Sequence, residues 1–141
     1  MSGFDFDDSD LLRHLNLKER NVLNTQHSAM QKVTDDLGRI ASEIAPIKGS
    51  VLRKSLDKSV EVKPDGVVGE VAFSATETSE KGRFNYALWT HEMDYTLGDK
   101  SSSAPGTNGY EVGNKYLERP LKGEAEKYIN WWANATAKEL D

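Results

Sequence analysis

Apolar side chains recur at helical spacing through the first third of the chain. The intervals between them are three, four and seven residues, and the residues concerned are Leu23, Met30, Val33, Leu37, Ile40 and Ile44. Residues three and four apart share one face of a helix, so the pattern predicts an amphipathic helix from about Leu17 to Ile44. A polar opposite face is predicted from Lys18, Gln26, Lys32, Asp35, Asp36 and Arg39. Pro46 cannot continue the helix and is expected to end it.

The residues before this helix are first acidic and then rich in leucine. Residues 1–10 contain four Asp and no basic side chain, together with Phe4 and Phe6. A short separate helix is expected to follow, because Asn16 and Glu19 match the capping box that would start a second, longer helix. We therefore predict an acidic arm and a short helix over residues 1–16.

The middle of the chain is predicted to form antiparallel strands. Residues 51–62 and 67–74 are the first two strands, joined by the turn-forming sequence Pro-Asp-Gly at 64–66. Residues 76–82 are predicted to be a polar hairpin loop, and the aromatic-rich residues 84–91 a third strand. Helix, antiparallel strands and helix in this order are typical of an α+β fold, with two helices packed on a small sheet.

The last third of the chain is predicted to be a long loop followed by a helix. Residues 94–114 contain four Gly, three consecutive Ser and one Pro, and we expect this segment to order on assembly. Asn114 is expected to cap the helix and Pro120 to mark its first turn or a kink. The predicted apolar stripe consists of Leu121, Ala125, Tyr128, Trp132 and Ala135, widened by Ile129, Trp131 and Leu140. Trp131 is expected either to be half-buried or to face a partner.

The composition of the chain excludes several classes of protein. A chain of 141 residues fits a single domain, which we place over residues 17–141. The absence of cysteine excludes a disulfide framework, a thiolate metal site and a cysteine nucleophile. No run approaches the roughly 20 apolar residues of a membrane span, so no membrane partner is expected. The net charge of −5 disfavours a free-standing nucleic-acid binder. Residues 45–63, however, carry a local excess of basic side chains. This excess fits either a solvated pair of strands or a phosphate-binding patch.

His91 and Glu92 are the best candidates for catalytic chemistry. A zinc hydrolase of the His-Glu-x-x-His type needs a second His four residues after the first, and Tyr95 occupies that position. A site of two His and one carboxylate, giving a metal-dependent hydrolase, is the less favoured alternative. The favoured interpretation is that His91 and Glu92 bond to the backbone or to each other. Neither a nucleophile elbow nor a phosphate-binding loop is present, so we predict no enzyme activity and no cofactor.

Three segments together carry a resemblance to a known family. They are Ala45–Ser55, Tyr86–Glu92 and Lys115–Leu121. In order and spacing they resemble the tailed-phage minor capsid and tail-component family, whose members are neck, head–tail joining or tail-completion proteins. The resemblance covers roughly residues 17–140, and Ser50 stands where the family often has Gly. The matching residues are Ala45, Pro46, Gly49, Leu52, Arg53, Tyr86, His91, Glu92, Leu117 and Pro120.

The resemblance implies a structural role in a virion. It implies a homo-oligomeric ring at the head–tail junction, assembled in the host cytoplasm, which contacts neighbouring neck, head-closure and tail proteins and lets DNA pass through its lumen. A tail terminator or a minor capsid protein is the alternative within the family, and a host-encoded regulatory module from a domesticated prophage is the alternative outside it. From the residues themselves, Leu52 is expected to start the sheet, and Arg53 is expected to pair with an acidic side chain of its own or of a neighbouring subunit. The candidate subunit-interface residues are Phe4, Phe6, Arg53, Tyr95, Tyr110 and Trp131.

Overall fold

Within the residues that the structure describes, the fold consists of two long helices, four shorter helical segments and two β-hairpins. The structure is a computed structural model that describes residues 9–47, 51–79 and 82–140. The helices are α1 (Ser9–Ile44), α2 (Val51–Lys54), α3 (Tyr86–Glu92), α4 (Asp99–Ser102), α5 (Glu118–Gly123) and α6 (Ala125–Leu140). The strands are β1 (Leu56–Lys63), β2 (Gly66–Phe73), β3 (Thr76–Ser79) and β4 (Gly82–Asn85). The predicted α+β class is confirmed. In the described part of the chain, no helix is both long and apolar enough to cross a lipid bilayer.

α1 is one continuous helix of 36 residues, about 54 Å long at 1.5 Å per residue. The prediction of a separate short helix before Asn16 is therefore wrong, because no Pro or Gly interrupts the helix in this stretch. Leu37, Ile40 and Ile44 are buried as predicted. Gln26 was expected on the polar face but is buried, and its side-chain amide lies 3.4 Å from the hydroxyl of Thr136 on α6.

The β1–β2 hairpin packs against α1. Its register pairs Lys63 with Gly66 and Leu56 with Phe73, so the predicted turn and the predicted second strand are confirmed. The first strand begins later than predicted, because residues 51–54 form α2 instead. Leu52 is fully buried in that helix and does not start the sheet.

The segment between the first hairpin and α3 differs from the sequence prediction. Residues 76–79 and 82–85 pair as the β3–β4 hairpin, where a polar loop was expected. The predicted third strand ends at Asn85, whose side-chain oxygen accepts a 3.0 Å hydrogen bond from the backbone N–H of Leu88. This is an N-cap, and it starts helix α3 at Tyr86 because it satisfies a backbone donor that the helix itself leaves unpaired.

α6 runs antiparallel to α1 and contacts it along one side. Tyr128 lies beside Asp36, and Glu139 near the other end of α6 lies beside Thr25. Tyr128 is buried, whereas Leu121, Ile129 and Leu140 are exposed, so the predicted apolar stripe is wider than the surface that α1 covers. Pro120 lies in the first turn of α5, as one of the two sequence interpretations predicted.

The core lies where the C-terminal end of α1 meets α2, α3 and the segment before α5. Its buried members are Ile40, Ile44, Ala45, Leu52, Ala75, Tyr86, Ala87 and Tyr116. Residues 94–114 are irregular apart from α4, and they are attached to this core by backbone contacts. The N–H of Gly113 donates to the carbonyl of Ile44 at 3.0 Å, and the N–H of Ile47 donates to Ser101 Oγ at 2.7 Å. Ordering of this segment on assembly stays a prediction.

Candidate subunit interface

An open groove of about 600 Å³ lies between α3 and α5. We call it the motif groove, because the segments Tyr86–Glu92 and Lys115–Leu121 form most of its wall. Leu88 and Leu121 are 59% and 52% exposed at its edge, which is high for apolar side chains. The lining residues are Phe73, Asn85, Ala87, Leu88, His91, Glu92, Lys115, Tyr116, Leu117, Glu118, Leu121 and Lys122.

The orientation of α3 decides which side chains reach the groove. Tyr86, Ala87 and Thr90 are buried towards the core, and the hydroxyl of Thr90 donates to the carbonyl of Tyr86 one turn earlier. Since these positions fix the inner side of the helix, Leu88 and His91 are left on the groove side.

Tyr116 forms the floor of the motif groove. Its side chain is 1% exposed, and its hydroxyl donates a 2.7 Å hydrogen bond to the carbonyl of Ala87. The rings of Phe73 and His91 contact it edge-on, with centroid distances of 5.1 and 5.0 Å. Burial raises the pKa of Tyr116, so the phenol stays protonated. Sequence reasoning missed this residue, although its aromatic ring stands inside the Lys-Tyr-Leu-Glu segment that carried the resemblance.

Both ring nitrogens of His91 have hydrogen-bonding partners. Nδ1 lies 3.1 Å from Glu92 Oε1, and Nε2 lies 3.4 Å from the backbone N–H of Glu118, which can only donate. The tautomer consistent with both contacts carries its proton on Nδ1 and donates it to Glu92. The expectation that His91 and Glu92 bond to each other is confirmed, although they end a helix and not the predicted strand.

A chain of alternating charges follows from Glu92 along the rim of the groove. Lys115 contacts Glu92 and lies 3.7 Å from Glu118, and Lys122 lies 2.8 Å from Glu118. The hydrogen bond from Lys115 lowers the pKa of Glu92 and raises that of Lys115, and the hydrogen bond from Lys122 lowers the pKa of Glu118. Glu92, Lys115 and Glu118 are therefore ionised at neutral pH.

Among the residues that the structure describes, no three His, Asp or Glu side chains are grouped closely enough to hold a metal ion.

Arg53 has a structural role at the end of α1. Its guanidinium donates to the backbone carbonyls of Ala45 at 2.8 Å and Glu43 at 2.9 Å, where an acidic side chain was the expected partner. The last carbonyls of a helix lack partners within the helix, so Arg53 stabilises the point where Pro46 ends α1.

Lys58, in the same basic stretch, pairs with Asp35 at 2.9 Å, which favours the solvated strand pair over a phosphate-binding patch.

The other candidate interface residues are dispersed over the fold. Tyr95 stacks on Trp89 with ring centroids 5.2 Å apart and donates a 2.5 Å hydrogen bond to the carbonyl of Thr90. Burial raises the pKa of Tyr95 to about 12. Tyr110 lies against Gly123, and Trp131 is half-buried with Lys32 Nζ 4.2 Å above its ring. These three aromatic residues line no common groove in the described ranges, while Phe4, Phe6 and Gly49 lie outside those ranges.

A second groove of about 440 Å³ lies between α1, β2 and α6. We call it the α1–β2–α6 groove, and every residue that lines it is apolar or aromatic: Met30, Val33, Val67, Tyr128, Ile129 and Trp132. Sequence reasoning identified the apolar stripe of α6 but not the groove that its exposed members line.

No known protein family, curated protein or solved structure matches this chain.

Proposed function

We propose that this chain is a structural, non-enzymatic subunit of the neck of a tailed phage. Copies of it would form a ring that joins the portal complex of the head to the tail and lets DNA pass. The observation that carries the proposal is the composition of the motif groove. The segments Tyr86–Glu92 and Lys115–Leu121, which resemble the family, lie side by side around one open surface, although residues 94–114 separate them in the sequence.

Two separate apolar surfaces support an assembly of identical subunits. A closed ring of head-to-tail contacts requires each subunit to present two different surfaces, one to each neighbour. The motif groove exposes Leu88 and Leu121, and the α1–β2–α6 groove exposes Ile129 and Trp132. Clustered exposed apolar residues of this kind mark interaction sites, in contrast to single exposed residues.

The charged rim of the motif groove fits a protein interface. Ion pairs at the edge of an interface select the partner and its orientation more than they add affinity. Glu92, Lys115, Glu118 and Lys122 present alternating charges beside the exposed leucines. The net charge of −5 also favours a lumen that does not retain DNA, because binding to phosphates requires an excess of Lys and Arg.

The test is incorporation into particles. The chain is co-expressed with portal, neck and tail components, and its presence in purified assemblies is measured for the wild type, Leu88→Asp and Leu121→Asp. We expect both variants to fold, because these side chains are exposed, and to be excluded from particles. The control is Val51→Asp, at a position outside the groove that is 56% exposed. A wild-type chain that stays monomeric and never enters particles would overturn the proposal, and stoichiometric zinc that is lost in His91→Ala would favour a hydrolase.

A further inference from the structure

A tight turn at Asn108 and Gly109 reverses the chain within residues 94–114. The N–H of Thr107 donates to the carbonyl of Tyr110 at 3.1 Å, and the N–H of Tyr110 donates back to the carbonyl of Thr107 at 2.8 Å. Both central residues have positive φ, 52° at Asn108 and 84° at Gly109. Asn followed by Gly is the preferred pair for such a turn, because Asn tolerates this conformation and Gly has no side chain to clash.

The side-chain amide of Asn108 connects this turn to α1 and to the residue between α5 and α6. Its oxygen accepts hydrogen bonds from Thr107 Oγ1 at 3.1 Å and from Arg39 of α1 at 3.4 Å, and its nitrogen donates to Glu124 Oε1 at 3.4 Å. The bonds to Arg39 and Glu124 are long and Asn108 is exposed, so the amide is accessible to water and is not held rigidly.

The backbone nitrogen of Gly109 is free to react with this amide. The nitrogen that follows an asparagine can attack Cγ of the side chain and close a cyclic imide, which is one route by which asparagine is lost as a thermolabile residue. A side chain on the following residue hinders the attack, and Gly109 has none. Its N–H makes no hydrogen bond to any residue that the structure describes, so no bond must break before the nitrogen can move.

Asn114 provides the contrast within the same stretch of chain. Its amide nitrogen donates to the carbonyl of Met93 at 3.2 Å and to Asp94 at 3.1 Å. The nitrogen that would attack it belongs to Lys115, which has a side chain, and the N–H of Lys115 donates to the carbonyl of His91 at 2.8 Å. Attack at Asn114 is therefore hindered and costs hydrogen bonds, whereas attack at position 108 is not and does not.

We propose that Asn108 is a modification site, at which the amide is converted without an enzyme to aspartate and isoaspartate. A bond forms between the Gly109 nitrogen and Asn108 Cγ, and the bond from Cγ to Nδ2 breaks. The attacking nitrogen gives up its proton to water, and the leaving nitrogen takes one up and departs as ammonia. Water then opens the imide at the side-chain carbonyl, which gives aspartate, or at the backbone carbonyl, which gives isoaspartate. The net reaction consumes one water and releases one ammonia, and it does not depend on the assembly proposed above.

The aspartate product loses one of the connections of the turn. Its carboxylate faces Glu124 where the amide donated a hydrogen bond, and two carboxylates repel each other. Arg39 gains a carboxylate partner, but it already pairs with Asp36 and Glu43. We therefore expect the modified turn to move away from Glu124 while it stays near Arg39.

The isoaspartate product changes the turn more strongly, because it lengthens the backbone inside it. A Cβ atom on Gly106 would lie 2.1 Å from the carbonyl oxygen of Tyr110, so the backbone beside the turn is closely packed. This packing leaves little room for an extra backbone atom. We expect the hydrogen bonds between Thr107 and Tyr110 to open.

Tryptic mass mapping tests the proposal on the full-length chain. The folded protein is incubated at mildly alkaline pH, below its unfolding temperature, and digested at intervals; trypsin releases the peptide Ser101–Lys115, which contains both asparagines. We expect conversion of the amide to the acid at position 108, as two separable isomers, while Asn114 stays unchanged. The control is Asn108→Gly, which retains a residue that accepts positive φ and should show no conversion. Equal conversion at positions 108 and 114 would overturn the proposal. So would an unchanged Asn108 in the folded protein over a period in which the isolated peptide is fully converted.

Hydrogen exchange tests the effect on the turn. The isoaspartate form is separated from the fresh protein by ion exchange, and the exchange of the Thr107 and Tyr110 amides is compared between the two. We expect faster exchange in the isoaspartate form, because an opened hydrogen bond no longer protects its amide. Exchange at the rate of the fresh protein would overturn the predicted opening of the turn.

Discussion

The hydroxyl of Tyr128 on α6 donates a 2.9 Å hydrogen bond to the carboxylate of Asp36 on α1 and joins the two long helices. Lys127 Nζ lies 2.9 Å from the same carboxylate oxygen, and Arg39 lies 3.2 Å from the other. Burial alone would raise the pKa of Asp36, but the hydrogen bonds from Lys127, Tyr128 and Arg39 outweigh it and lower that pKa. Ionised Asp36 is thus held by three donors at the helix contact.

Replacing this carboxylate should destabilise the fold in a pH-dependent manner. We expect Asp36→Asn to lower the free energy of unfolding by about 1–3 kcal/mol at pH 7, because charged hydrogen bonds are lost. The folded pKa of Asp36 lies below its unfolded value, so its contribution is complete above the unfolded pKa and is lost as the pH falls through the folded pKa. Urea denaturation at pH 7 and at about pH 3 should therefore show a smaller difference between variant and wild type at the lower pH.

The neighbouring carboxylate provides the control for this prediction. The side chain of Asp35 is 68% exposed, against 18% for Asp36, and its partner Lys58 is also exposed. Exposed ion pairs contribute little, so Asp35→Asn should change the stability by less than about 0.5 kcal/mol. Equal losses for Asp35→Asn and Asp36→Asn would show that the helix contact does not depend on the Asp36 cluster.

Close approach of β2 to α1 at Gly69 leads to a second prediction. A Cβ atom on residue 69 would lie 2.6 Å from Met30 Cγ and 2.8 Å from Thr34 Cγ2. We expect Gly69→Ala to lower the free energy of unfolding by about 1–3 kcal/mol, measured by chemical denaturation, because the strand or the side chains of Met30 and Thr34 must shift to make room for the added methyl group. Gly98→Ala is the control, since a Cβ there meets no atom within 4 Å. Combining Gly69→Ala with Met30→Ala should cost less than the sum of the single changes, and strict additivity would contradict the clash.

Arg53 gives a third prediction. Arg53→Met removes the donors to the carbonyls of Glu43 and Ala45, and we expect a loss of about 1–3 kcal/mol in thermal or urea unfolding. Arg53→Lys should recover only part of this loss, because one ammonium group does not reproduce the planar fork of a guanidinium. Lys54→Met, at the exposed neighbouring position, is the matched control. Full recovery by Lys would show that charge alone matters here.

The parts of the fold that sequence predicted are those specified by local pattern. The buried face of α1 at Leu37, Ile40 and Ile44 follows from helical spacing, and the β1–β2 turn follows from Pro-Asp-Gly at 64–66. Residues 86–91 were predicted as a strand because Tyr, Trp and Thr favour strands. Asn85 caps a helix there instead, and the burial of Tyr86, Ala87 and Thr90 on one side of that helix outweighs the strand preference.

The candidate site was predictable only as far as its members are neighbours in sequence. The contact between His91 and Glu92 was expected because they are adjacent. Lys115 and Tyr116 reach the same groove from beyond the irregular residues 94–114, and no local pattern indicates such a contact. The sequence also did not indicate that part of the α6 stripe lines an exposed groove. An apolar residue such as Ile129 has the same helical spacing whether it lies in the core or at the surface, so spacing alone does not distinguish the two.

Residues 94–114 allow a prediction about assembly that a single cleavage site can test. Lys100 on α4 is exposed, and it is the only Lys or Arg within this segment, so trypsin can cut the segment at one place. The segment is expected to be covered or further ordered by neighbouring subunits, and proteolysis requires a locally accessible and mobile backbone. We therefore expect trypsin to cut after Lys100 faster in the free protein than in particles, as followed by the mass of the resulting fragments. Lys100→Gln should abolish these two fragments while leaving cleavage at other sites unchanged. Equal rates in the free protein and in particles would contradict a role for this segment in subunit contacts.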